Sequence, residues 1–256
     1  MTSQRKGAKI ASWAGLALGV LALFVAFTFQ SSTAKAAVGN ALVRIIHAAP
    51  DAGPVDIYAD GRKMISNFQF GTITGYASVP AGTHTIKIVP AGKNIAAAVT
   101  TKTVTINTGV PYTEAVVGTP ATGFNLDTFV DNNIVSAGMT KVRVYHLSPD
   151  AGPVDVAANG SKMIRGLMYQ ANSNYLSVAP GAYTFEVTAT KEGTTVPLST
   201  SLRAGTINSV FAIGLMNGSP KLKFVTATVA GAVGAPTAAT TAPGSSTTGS
   251  NVNARP

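Results

Sequence analysis

The chain of 256 residues holds 46% hydrophobic and 11% charged side chains, no cysteine and a formal net charge of +9. The missing cysteine excludes disulfides, thiolate metal sites and a cysteine nucleophile. The charge does not read as a nucleic-acid signal, because from Asn40 to Ile134 six basic side chains face six acidic ones, and no basic run interleaves with aromatics.

Residues 1–36 read as a signal peptide or membrane anchor. A basic start (Arg5, Lys6, Lys9) precedes an apolar run from Ile10 to Phe29, and a small-residue stretch ends in Ala34-Lys35-Ala36. The small-residue site predicts cleavage before Ala37. The run is also long enough to span a bilayer as a retained helix, with the basic flank keeping its N-terminus inside. Either outcome exports the rest of the chain across the cytoplasmic membrane, to the cell surface or the medium.

After the leader, Leu42–His47 reads as a strand, broken by Pro50-Asp51-Ala52-Gly53-Pro54, where two prolines remove donors and fix φ. Val55–Tyr58 follows, then an Asp60-Gly61 hairpin turn and the return strand Arg62–Phe68. Ile73–Val79 and Thr83–Val89 are expected to pair around Pro80-Ala81-Gly82, and further strands are expected at Ala98–Ile106, Tyr112–Val117 and Leu126–Val130. No helical period is visible past the leader.

The stretch VRIIHAAPDAGPVD, Val43 to Asp56, returns as VRVYHLSPDAGPVD, Val142 to Asp155, an offset of 99 residues. In that register Lys63-Met64-Ile65 matches Lys162-Met163-Ile164, Tyr76 matches Tyr175, and Asp60-Gly61 becomes Asn159-Gly160. Later the offset is 96, which aligns Gly109 with Gly205 and Gly118 with Gly214. The fold class expected is therefore all-β: two tandem immunoglobulin-like antiparallel β-sandwich domains after an N-terminal apolar helix. Repeat 1 spans 40–134 and repeat 2 spans 138–229, with a short link around Ser136 to Met139. Residues 230–256, rich in Ala, Thr, Ser, Gly and Pro, are expected to be a disordered tail, either a spacer or a carrier of O-linked sugar.

The pattern V-R-x-x-H-x-x-P-D-A-x-x-V-D, an Asp-Gly or Asn-Gly turn, Y-x-S-V and a Gly ahead of the closing strand resembles the domain-of-unknown-function 4397 family. It is carried by Val43, Arg44, His47, Pro50, Asp51, Ala52, Val55, Asp56, Gly61, Tyr76, Gly82, Gly109, Tyr112, Thr113 and Gly118. The second copy departs from it with Asn208-Ser209 where the first has Tyr112-Thr113, so its closing corner is expected to pack differently. The resemblance implies secreted or surface proteins of bacteria and archaea with tandem β-rich domains, and no known activity.

The candidate site is the repeated set His47, Asp51, Asp56 and His146, Asp150, Asp155. Imidazole with carboxylates can ligate a metal or do acid-base chemistry. The same residues can instead staple a turn, an Asp to backbone amides and a His to a carbonyl, and duplication in both copies favours the staple. Arg44 and Arg143 are expected to form surface pairs with Asp56 and Asp155. Tyr76 and Tyr175 are read as packing groups whose hydroxyls cap a loop, with sugar stacking as the alternative. No G-x-S-x-G, Walker-type loop or H-E-x-x-H occurs.

The expectation is thus a non-catalytic secreted or cell-surface protein, an envelope-associated binding, adhesion or structural module, with no catalytic residue, cofactor or metal assigned. Its expected partners are cell-wall polymer, glycan or another surface protein, plus the membrane if the leader is retained. The alternatives are a membrane-tethered scaffold or sensor ectodomain and a metal-dependent enzyme using the His/Asp motif.

Overall fold

The computed structural model describes residues 39–234. The leader and most of the tail lie outside them, so the expected anchor helix and the disorder of the tail are not part of the described structure. Among the described residues no helix is long and apolar enough to cross a membrane.

Repeat 1 forms eight strands: β1 (Asn40–His47), β2 (Val55–Ala59), β3 (Arg62–Phe68), β4 (Ala77–Pro80), β5 (Gly82–Pro90), β6 (Thr100–Ile106), β7 (Pro111–Thr119) and β8 (Gly123–Val130). One turn of 3-10 helix at Ile95–Ala97 precedes β6. A two-residue strand β9 (Ile134–Val135) leads into repeat 2, which contains β10 (Thr140–His146), β11 (Val154–Ala158), β12 (Ser161–Leu167), β13 (Ala171–Asn172), β14 (Leu176–Val178), β15 (Gly181–Ala189), β16 (Thr194–Leu202), β17 (Thr206–Ile213) and β18 (Lys223–Ala230). The described chain closes with β19 (Ala232–Val233).

Each repeat is a sandwich of two sheets, as the sequence leads one to expect. In repeat 1 an outer sheet β3-β2-β5-β6 covers an inner sheet β4-β1-β7-β8; in repeat 2 the outer order is β12-β11-β15-β16 and the inner β13-β10-β17-β18, with β14 also on β10. Within the four sandwich sheets the pairing is antiparallel except for one parallel pair in each inner sheet, β1 with β7 and β10 with β17, and the small β9-β19 pair is parallel too. The inner-sheet partners follow one another only after the chain has crossed into the outer sheet and back, which parallel strands require.

One expected pairing is corrected. β4 and β5 do not form a hairpin: β4 pairs with β1, and β5 pairs with β2 and β6. Pro80-Ala81-Gly82 is instead the crossing from one sheet to the other. Gly82, at φ 138, takes a bend that a Cβ would strain. Of the residues read as the start of the tail, Ala230 ends β18 and Ala232–Val233 form β19 alongside β9, held by Ala232 N–H to Asn133 O at 2.8 Å.

The layers follow from the burial pattern. Strand β16 alternates, because one face of the outer sheet meets solvent. Strand β7 is buried over seven successive residues, and β17 likewise from Ile207 to Ile213. Continuous burial means that both faces of the inner sheets are covered. Inside repeat 1 lies a core of Ile45, Val55, Phe68, Ile88, Val116 and Leu126. On the opposite face Ile46, Ala115, Val117 and Phe129 meet Tyr145, Phe211 and Ile213 of repeat 2 in one apolar cluster. The inner sheets therefore pack on each other, and residues 39–234 form four layers. Tyr145 anchors that seam, stacked on Phe211 at 4.5 Å and edge-on to Phe129 at 5.4 Å, geometries that favour aromatic pairs.

The repeated turn letters have local causes. Asp60 and Asn159 sit at φ 50 and 48, with Gly61 and Gly160 at 79 and 78, the backbone of a primed hairpin turn. Their side chains also accept from the neighbouring strand, Thr85 N–H to Asp60 at 2.8 Å and Thr184 N–H to Asn159 at 2.9 Å. Gly118, at φ 98, lets the strand turn tightly against Gly123, whose carbonyl oxygen would lie 2.1 Å from an added Cβ; Gly214 stands in the same relation to Lys221 at 2.4 Å. Gly118→Ala should lower stability by about 2 kcal/mol or more, whereas Gly75→Ala, where nothing lies within 4 Å of the added carbon, should stay within ~0.5 kcal/mol. Urea unfolding of both variants checks this.

Candidate functional site

The motif residues are turned toward their own backbone. His47 and His146 end β1 and β10 fully buried. Their Nε2 atoms lie 2.8 and 2.7 Å from the carbonyl oxygens of Gly53 and Gly152. A carbonyl only accepts, so each ring donates from Nε2, and in its neutral form carries no proton on Nδ1. The ring thereby pins the Pro-Asp-Ala-Gly-Pro loop to the strand it follows. His47 packs between Phe68 and Phe70, and His146 against Tyr169. Burial pushes both imidazoles below their usual range, and the carbonyl bond opposes this only in part.

Asp56 and Asp155 hold a different feature. Asp56 accepts from the Asn67 amide at 2.8 Å and from Lys63 Nζ at 2.5 Å; Asp155 accepts from the Gly166 amide at 2.8 Å and from Lys162 Nζ at 2.7 Å. Asn67 and Gly166 both have positive φ, 52 and 59, where strands β3 and β12 bulge against their partners. The carboxylate thus caps an amide that the bulge frees from the ladder. The lysine contact and then the amide hold both carboxyls below the usual range.

Asp51 is exposed, whereas Asp150 accepts from the Met216 and Asn217 amides at 2.7 and 2.9 Å. The difference follows from the loop after β17, which is longer than the turn between β7 and β8 and reaches back over Asp150. The six residues do not converge. Among the described residues no group of three His, Cys, Asp or Glu is arranged to hold a metal ion.

The expected ion pairs are also corrected. Asp56 and Asp155 belong to the lysines, and neither arginine is a surface group. Arg44 and Arg143 both reach Asp131, at 3.5 and 3.4 Å. Arg44 is 2% exposed and Asp131 4%. The Asp131 carboxylate further accepts from the hydroxyls of Thr113 (2.5 Å), Tyr76 (2.6 Å) and Tyr145. Arg44 donates from Nε to Thr113 and from Nη2 to Ser209 of repeat 2, each at 2.8 Å, while Arg143 donates to the carbonyls of Ser173 and Val130.

Each guanidinium also lies over a tyrosine, Arg44 at 4.7 Å from the Tyr76 ring and Arg143 at 4.6 Å from that of Tyr175. Two cations thus share one carboxylate, and the aromatic faces supply the remaining negative potential. The tyrosines are accordingly packing groups, with Tyr76 donating to Asp131 and the Tyr175 hydroxyl accepting from the Asn132 amide at 3.0 Å. Burial, reinforced by the nearby carboxylate, raises the Tyr145 phenol.

The closing corners of the repeats differ as expected: the buried Tyr112 hydroxyl accepts from the Asn107 amide, while Asn208 bridges Thr140 and Thr228. Thr113 and Ser209, at matching positions, are brought together on Arg44. Asp131 escaped the sequence reading because repeat 2 has no acid at the corresponding end of β18 and nothing local marks it.

Removing one partner of a buried ion pair strands the other charge. Asp131→Ala should therefore cost about 3 kcal/mol or more, and Lys63→Ala, where the lysine is exposed and Asp56 keeps the Asn67 amide, less; denaturant midpoints test the order. The chain has three histidines, and the third, His84, is pushed above its usual range by Asp60. Proton NMR should show two imidazoles titrating below 6.5 and one above. As pH falls through 6.5 the unfolded chain protonates His47 and His146 first, so their contribution to stability is intact above that pH and declines below it; the contribution of His84 runs the other way.

The family described as "Domain of unknown function (DUF4397)" matches the chain twice, at residues 41–157 and 140–237. No curated protein matches it. The first match spans both copies of the stapled motif and the second match takes in the second copy, which makes this chain a tandem member of the domain-of-unknown-function 4397 family.

Proposed function

We propose that the protein is a non-catalytic, exported module of the cell surface, a rigid two-repeat body that engages cell-wall polymer, glycan or another surface protein. The observation that carries this reading is that the repeated histidines and the second aspartate of each motif are spent on the protein's own backbone. His47 and His146 close loops, and Asp56 and Asp155 cap bulges. Groups committed to fold geometry are poor candidates for proton transfer or metal ligation, because either role would take away the bonds that hold the loop. The basic, apolar, small-residue order of residues 1–36 supports export, and the packing of one inner sheet on the other supports a body that does not hinge between repeats.

External protease treatment of intact cells, with fractionation and N-terminal sequencing of the mature chain, tests the location. The chain should be found in the envelope or the medium and be open to the protease, starting at Ala37 if the leader is removed. Recovery as a protected cytoplasmic protein contradicts the reading. Purified protein should co-sediment with isolated cell walls, and a wall fraction that retains none of it removes wall polymer from the partners.

A further inference from the structure

A cavity of about 300 Å³ lies between the two sheets of the first sandwich, at the small end of the ~300–1,000 Å³ typical of ligand pockets. Its wall is largely apolar, with Ile86, Val104 and Leu126 inside and the exposed Met64 and Ala77 at the rim. Glu114, on β7, also lines it. That side chain is 4% exposed. The Thr128 hydroxyl donates to Oε2 at 2.8 Å, while Oε1 is buried with no hydrogen-bond partner among the described residues. Arg44 and His84 border the same space, but their polar ends are engaged elsewhere, by Thr113 and Ser209 and by Asp60 and Pro80.

A buried carboxylate oxygen without a donor is costly, and the second repeat shows that the fold does not require it. There the position of Glu114 is Val210, paired with Val144 as Glu114 is with Ile45. Larger side chains also stand at the positions that line the cavity. His84, Ile86 and Ala77 correspond to Tyr183, Phe185 and Leu176, and the Tyr183 and Phe185 rings stack at 5.8 Å within a core that includes Val210. The second sandwich carries valine and two aromatic rings at these positions; the first is hollow there and holds an acid. Burial lifts the Glu114 carboxyl to about 7, Asp127 adding to the rise while Thr128 and Lys102 oppose it. A cation brought to Oε1 would favour the ionised form.

We propose that the first sandwich binds a small apolar molecule with an ammonium head, its hydrocarbon part lying between the sheets and its N–H donating to Oε1 of Glu114. The site goes beyond the surface-module reading and does not depend on where the protein resides. Isothermal titration of the full chain with n-octylamine, and with octanoate as the opposite-charge comparator, tests it.

Octylamine should bind saturably. Glu114→Val should weaken it by ~10- to 100-fold, as loss of a charged hydrogen bond implies, and Ala77→Leu, which brings in the residue of the second copy, should weaken it too. Glu114→Val should leave the urea midpoint unchanged or raised. The assignment is overturned if octylamine shows no saturable binding, if octanoate binds as tightly, if octylamine binding survives both replacements and so lies elsewhere on the chain, or if Glu114→Val unfolds the protein and so makes the carboxylate a structural group.

Discussion

Two arginines and one buried aspartate, gathered where the inner sheets meet, impose the condition on which the rest of the molecule depends. A carboxylate in such a place must be fully satisfied, and Asp131 is satisfied only when Arg44 and Tyr76 of one repeat and Arg143 and Tyr145 of the other are all in position. Replacing a buried ion pair by apolar groups is often neutral or stabilising, whereas removing one member is not. The network is therefore better understood as fixing how the sheets meet than as a source of net stability. Around it, Tyr145, Phe211, Ile46 and Phe129 supply the apolar burial that holds them together.

The comparison of the two copies separates what the fold needs from what it does not. Features present in both have a backbone reason: the histidine that closes a loop, the aspartate that caps a bulge, the turn residue that accepts from the next strand, and the glycine against which a carbonyl lies. Features present in one copy have no such reason. Asp131 belongs to the junction, where the repeats cannot be equivalent because only one of them continues into the other. Glu114 belongs to the cavity of the first sandwich, where the second copy has valine and two aromatic rings.

The strands were legible in the sequence because their ends are set by local chemistry. Asp60-Gly61, Asn159-Gly160 and the two prolines of Pro50 and Pro54 mark turns whatever lies around them. Pairing was legible only where a two-residue turn forces it. Pro80-Ala81-Gly82 resembles a hairpin loop, yet it carries the chain between layers, and nothing within the flanking strands distinguishes these outcomes. The sequence offers each arginine an acid of its own motif, Asp56 and Asp155, while the actual partner, Asp131, lies just past the end of β8. A partial signal lay in the adjacent Ile45-Ile46 and Val144-Tyr145, where large side chains fall on both faces of the strand instead of alternating with polar ones, as in a sheet covered on both sides.

The central claim, that the repeats form one body joined through their inner sheets, is tested most directly by native-state hydrogen exchange. If it holds, the amides of β7 and β17 open together, with the same free energy and the same response to low denaturant. Exchange of one inner strand at a distinctly lower free energy, with the other still protected, would mean two sandwiches that fold apart and only touch.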